Sequence, residues 1–205
     1  MRFNLKKVLG IITWFALKEG GEIDKVKLLK LVYLADRLHL RDYGRRIIPG
    51  EYYGMRMGPV HSEVKDIIDS NIYDDNEKQL VDESFTKINH DIRLLKDKHF
   101  EKALFSKSEI NALEKTWNNF GNFNNWALKD ITHLYPEWKK KENELNEDCT
   151  RFSLDVEECF ENLSEGELKE LKEKYGFDED PFAQTPEVLE YSKEQYLYEK
   201  MLEIL

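Results

Sequence analysis

The sequence predicts a mainly α protein: a compact helical domain with a small β-hairpin, followed by an acidic helical C-terminal extension. Three observations lead there. Apolar residues recur at intervals of three and four along most of the chain, capping residues and glycines punctuate those runs, and the charge divides unevenly. The chain has 205 residues and a net charge of −10. Residues 146–205 hold 18 Asp and Glu against 6 Lys and Arg, a net of −12, and the remainder holds 23 against 25, a net of +2. We therefore expect a helical domain over residues 1–145 and an acidic helical extension over residues 146–205. A hydrophobic share of 40% with 11 Phe, 10 Tyr and 4 Trp is ample for a packed core.

In residues 4–18, Leu5, Val8, Leu9, Ile12, Phe15 and Ala16 share one helical face, and Gly20 and Gly21 stop the helix. Lys6 and Lys7 followed by an apolar run imitate the start of a signal segment. However, polar "KEGGEIDK" follows in place of a small-residue cleavage site, and the run is too short to span a bilayer. A core helix in a soluble, cytoplasmic protein is expected, with no membrane partner.

Asp24 suits the cap of a second helix reaching about Arg41, whose interior "KLLKLVYLADRLHL" is apolar nearly all round and so belongs at the domain's centre. On it Lys27, Lys30, Arg37 and Arg41 fall within about 80° of one another. This basic stripe reads either as a contact for phosphate or an acidic protein surface, or as cations reaching out along the edge of the core. "YGRRIIPGEYYGMRMGP" reads as a folded loop with a short strand. Gly58 and Pro59 then suit the cap and first position of a helix over residues 60–70. "FTKINHDIRLLK" predicts a hairpin turning at residues 89–91. Ser106 and Glu109 form a capping box for a helix closed by Gly121, and a short helix within "NNWALKDITH" leads to "LYPEW".

In the extension, a helix is expected over residues 154–160, and Ser164 with Glu167 caps another that Gly176 ends. "FDEDPFAQ" reads as a linker. Thr185 and Pro186 start a last helix in which Val188, Tyr191, Gln195, Tyr198, Leu202 and Leu205 follow the spacing of a coiled-coil seam. Such a seam is covered by its own domain, by a partner or by a second copy in a homodimer.

Catalytic and cofactor signatures are absent from the sequence. There is no phosphate-cradling glycine loop, no nucleophile elbow and no Cys beside a plausible base. Cys149 and Cys159 have no disulfide or metal-site spacing, and His39, His61, His90, His99 and His133 are scattered. Asp36 and His39 share a side of the second helix, as a relay or as a structural hydrogen bond. No cofactor and no enzymatic role are expected, and an overall acidic chain disfavours nucleic acid.

"KLLKLVYLADRLHLRDYGRRI" with "EYYGMRMGPVHSEV", and further on "SKSEINALEKTWNNFG" with "LKDITHLYPEW", resemble the two sequence blocks of the Panacea domain, the SocA-like antitoxin family. The resemblance covers about residues 24–138. It points to Lys27, Leu28, Lys30, Leu31, Tyr33, Ala35, Asp36, His39, Tyr43, Gly44, Gly58, Pro59, Val60, Thr132, His133 and Trp138, many of them framework. Tyr33, Asp36, His39 and His133 are the candidates for a functional polar cluster. Arg46 departs from the family pattern, which often has Pro after Y-G-R. The resemblance implies an antitoxin that binds and neutralises a cognate toxin protein. The alternatives are an adapter that delivers a toxin to a protease, as described for one member, and a nucleic-acid-binding regulator. Candidate partner-binding residues are thus Lys27, Lys30, Tyr33, Asp36, Arg37, His39, Arg41, Tyr43 and His133, with Tyr191, Tyr198 and Leu202 from the terminal seam.

Overall fold

The computed structural model describes residues 4–204. Among them are nine α-helices and two three-stranded antiparallel sheets. α1 (Leu5–Lys18) starts where the Asn4 side chain accepts from the Lys7 amide. Gly20 and Gly21, with φ of 94° and 100°, reverse the chain into β1 (Glu22–Asp24). Asp24 caps α2 (Lys25–Tyr43), and Gly44 ends it in the left-handed conformation.

α2 is the axis of the molecule: every residue from Lys27 to Arg41 is buried. α1, α5 (Lys107–Phe120), α6 (Asn125–His133) and α9 (Pro186–Ile204) all pack on it. A helix surrounded in this way must be apolar or find internal partners for its polar groups, and α2 combines a run of apolar residues with buried Lys27, Lys30, Asp36, Arg37, His39 and Arg41.

The Asp36 carboxylate, on α2, accepts from the Ile47 and Ile48 amides and from the Tyr52 hydroxyl, which fixes the loop after Gly44. β2 (Tyr52–Met55) and β3 (Gly58–His61) form a hairpin. Gly58 and Pro59 are therefore not a helix cap. They lie in β3, and α3 (Ser62–Asp69) begins after it. Proline, lacking an N–H, is tolerated because β3 is an edge strand. α4 (Asp75–Asp82), with Val81 its one buried side chain, leads to β4 (Phe85–Ile88) and β5 (Asp91–Leu94). That hairpin lies where the sequence predicts it, and β1 adds its third strand.

The Ser106–Glu109 capping box holds α5, and α7 (Pro136–Lys139) follows α6. β6 (Arg151–Ser153) then pairs with β2, so the segment after residue 146 completes a sheet of the preceding domain. Residues 154–160 form a 3₁₀ turn at Val156–Phe160 instead of an α-helix. A second capping box, Ser164–Glu167, begins α8 (Glu165–Tyr175), which Gly176 closes. The presumed linker before α9 is packed structure: Phe182 is fully buried, its ring 5.1 Å from that of Phe120 and 6.3 Å from that of Tyr135.

Phe182→Ala would remove a ring from this contact and leave a cavity. The expected loss is about 3–5 kcal/mol, read as a lower urea midpoint, with residues 1–145 and the extension unfolding in one transition.

Candidate functional site

The four cations of the α2 stripe do not form a surface. Lys27 binds Glu19 at 2.7 Å, and Lys30 donates to the Pro59 carbonyl at 2.7 Å. Arg37 Nε donates to Glu137 at 2.6 Å, both side chains wholly buried. Arg41 donates to the carbonyls of Phe182, Cys159 and Glu161 and to Asn162. A cation on a helix with no free side has only internal acceptors within reach, so the long stems turn to backbone and carboxylate oxygens of neighbouring elements. The reading of Lys27, Lys30, Arg37 and Arg41 as a phosphate-contacting face is thereby corrected.

Glu137, at the start of α7, is the hub of a polar network. It accepts from Arg37 and from the Tyr33 hydroxyl, while the Arg37 guanidinium stacks 3.8 Å from the Tyr135 ring centroid. Tyr135 in turn donates to Asp180 at 3.2 Å. Burial disfavours the Arg37 charge, but Glu137 and the two tyrosines outweigh it and hold the guanidinium's pKa above its ordinary value. Burial, then Glu137, push the Tyr33 hydroxyl and the Cys159 thiol well up, so both stay protonated. Burial, then Arg37, bring Arg41 down to about 10, which still leaves it charged.

A second cluster joins the two sequence blocks. Gly58 has φ of +88°, and a Cβ there would meet Lys30 Nζ at 2.8 Å, His133 Cδ2 at 2.9 Å and Thr132 Oγ1 at 2.9 Å. His133 stacks on Trp138 at 3.5 Å, and Trp138 Nε1 donates to the Met55 carbonyl at 3.1 Å. Burial, then Lys30 and Lys129, depress His133 from 6.5 to about 3. Burial, then Lys129, likewise push Lys30 well below the ordinary lysine value. Beside this cluster opens an apolar cleft of about 320 Å³, lined by Leu29, Met55, Met57 and Val60 among others, with Lys25, Arg56 and Lys65 on its walls.

The expected polar cluster is not one site. Tyr33 binds Glu137, Asp36 holds the loop, His133 stacks on Trp138, and His39 contacts the Arg45 carbonyl at 2.7 Å and Ser108 at 3.0 Å. Asp36 and His39 thus have separate partners. Tyr52 lies between Tyr33 and Asp36: its hydroxyl donates to Asp36, and its ring meets that of Tyr33 edge-on at 5.5 Å. Tyr43 is 41% exposed beside His39. Tyr191, Tyr198 and Leu202 lie on the outer side of α9, exposed. Leu205, the last seam position, is outside the described residues. Sequence reasoning missed Glu137, a glutamate on a four-residue helix that reads as surface, and Met55 and Met57, which only the hairpin aligns.

Among the described residues no cluster of His, Cys, Asp and Glu could hold a metal ion, and no helix is long and apolar enough to cross a membrane. A family model described as "Antitoxin SocA-like, Panacea domain" matches residues 28–139, more than half of the chain. The chain belongs to this SocA-like antitoxin family. Neither the curated proteins nor the solved structures contain a match to it. The Panacea segment contains both members of the Arg37–Glu137 pair and the whole Lys30–Gly58–His133–Trp138 cluster. The acceptors of Arg41 and the Asp180 partner of Tyr135 lie beyond it.

Glu137→Gln would leave the Arg37 charge buried without its counterion, and should cost about 3–5 kcal/mol in urea unfolding; Arg37→Met combined with Glu137→Met should cost less than the sum of the single variants. For His133, the folded value of about 3 lies below the unfolded 6.5. Unfolding therefore takes up a proton between them, and stability falls as pH drops from 6.5 toward 3. The fall in urea midpoint across that window should be smaller in His133→Gln than in the parent.

Proposed function

We propose that this protein is an antitoxin that neutralises a cognate toxin by binding it directly in the cytoplasm, with no catalytic step of its own. The observation that carries the reading, beside family membership, is the terminal helix. α9 seals Leu189 and Ser192 against the rest of the fold but leaves Tyr191, Tyr198, Met201 and Leu202 at 62%, 60%, 64% and 53% exposure. Large side chains held outward on a docked helix are the anchors an interface needs, and the acidic extension around them favours encounter with a basic toxin surface. The burial of Lys30, Arg37 and Arg41 removes the surface on which a nucleic-acid-binding reading rested.

The test is co-expression with the product of the neighbouring reading frame, scoring growth and then co-purification. Rescue with a stable complex is expected. Tyr198→Asp with Leu202→Asp, both on the exposed side of a helix that stays docked, should weaken the complex by about 2–4 kcal/mol and abolish rescue. Rescue without a complex, and with a shortened toxin half-life, would instead show delivery to a protease.

A further inference from the structure

Two surfaces of this protein are left without a partner, and they complement each other. One is the cleft beside the β2–β3 hairpin, whose floor is apolar through Leu29, Met55, Met57 and Val60. Lys25, Arg56 and Lys65 line its walls, while the Lys30 ammonium turns inward onto the Pro59 carbonyl, and among the described residues no carboxylate lines it. Nearby, Asp69 is shared among Lys25, Lys65 and Lys87, and Arg56 donates to the Asn146 carbonyl, so the surroundings of the cleft keep an excess of positive charge. The other surface is the outer seam of α9. Residues 186–204 carry five glutamates against two lysines, and exposed among them stand the large apolar side chains Tyr191, Tyr198, Met201 and Leu202.

Their placement on α2 decides whether they can meet. The cleft uses Lys25, Val26, Leu29 and Lys30, from the first turns of α2. α9 crosses its far end, where a Cβ on Gly44 would clash with the Ser192 carbonyl and stand 2.7 Å from Gln195 Cβ. At 1.5 Å per residue, roughly 20–25 Å of helix separates the two, so α9 cannot stay docked at Gly44 and fill its own cleft. At 100° per residue, the α2 residues lining the cleft and those beneath α9, Leu40 and Gly44, centre within about 30° of each other around the axis. Both surfaces therefore sit on one side of α2, at opposite ends.

We propose that two copies associate through a two-fold axis normal to that side, with their α2 helices antiparallel, so that the α9 seam of each covers the cleft of the other. The two contacts are identical and the assembly closes at two, since every cleft and every seam is then used. Tyr and aliphatic side chains enter the apolar floor while the glutamates of α9 face the lysines and Arg56 at its edge. The dimer stands on this chain alone. Only its consequence rests on the toxin reading: a toxin and a second copy would compete for one seam.

Sedimentation velocity of the full chain tests the proposal without any toxin. A monomer–dimer equilibrium is expected, weakened by added salt because the charges lie at the edge of the contact. Met57→Glu in the cleft and Tyr198→Glu on α9 should each raise the dimer dissociation constant roughly tenfold or more, while circular dichroism and urea midpoint stay near the parent's. An equimolar mixture of these variants should regain a heterodimer, since one intact cleft then faces one intact seam. A parent that is monomeric at every concentration, a dimer that Met57→Glu leaves intact, or a mixture that gains nothing over the separate variants would each overturn the proposal.

Discussion

The buried ion pair between Arg37 and Glu137 is the constraint on which the rest of the structure depends. Both side chains are wholly removed from water, and an unpaired charge there would be far more costly than a lost apolar contact. A hundred residues separate the partners, so forming the pair fixes α7 against α2 across the whole Panacea segment. The geometry then follows outward. Tyr33 supplies a second donor to the same carboxylate, Tyr135 covers the guanidinium face, and Asp180 accepts from Tyr135. Apolar packing alone would tolerate small slips of one helix along another, whereas this chain of partners tolerates one register.

Arg41 extends the same logic to the acidic extension. Its four acceptors all come from residues 159–182, which binds that segment to α2 by hydrogen bonds that water cannot replace. Together with β6 on the edge of β2 and Phe182 beneath Phe120, they make the extension part of the core's construction. α9 is then presented from a rigid base, and Gly44 allows its backbone to approach α2 closely. A seam held in this way offers its anchors with little ordering entropy left to lose on binding.

The residues to which the sequence resemblance points divide by what they touch. Asp36, Gly58 and Trp138 hold backbone, through the loop amides, the positive-φ turn and the Met55 carbonyl. Lys30, Thr132 and His133 crowd around Gly58 next to the cleft. The matched segment, residues 28–139, thus contains the framework that shapes the hairpin and its cleft, while the exposed α9 seam lies outside it.

By itself the sequence determined the elements whose signals are local. The helices with capping boxes at Ser106 and Ser164, the central helix from Asp24 and the hairpin near Asn89 are set by side chain–backbone bonds and periodicity within a few residues. Strands β1 and β6 are three residues long, too short for alternation to show, and exist only because β5 and β2 offer them free edges. Gly58 and Pro59 satisfy the rules for a helix start as well as those for an edge strand, and the Lys30 ammonium at the Pro59 carbonyl is an interaction between segments that local rules do not contain. Tertiary structure alone decided that the basic stripe turns inward, that Glu137 is a core residue and that Tyr191, Tyr198 and Leu202 of α9 turn outward while Gln195 packs beside Gly44. Each depends on which oxygen or apolar surface stands opposite, and that partner comes from a distant part of the chain.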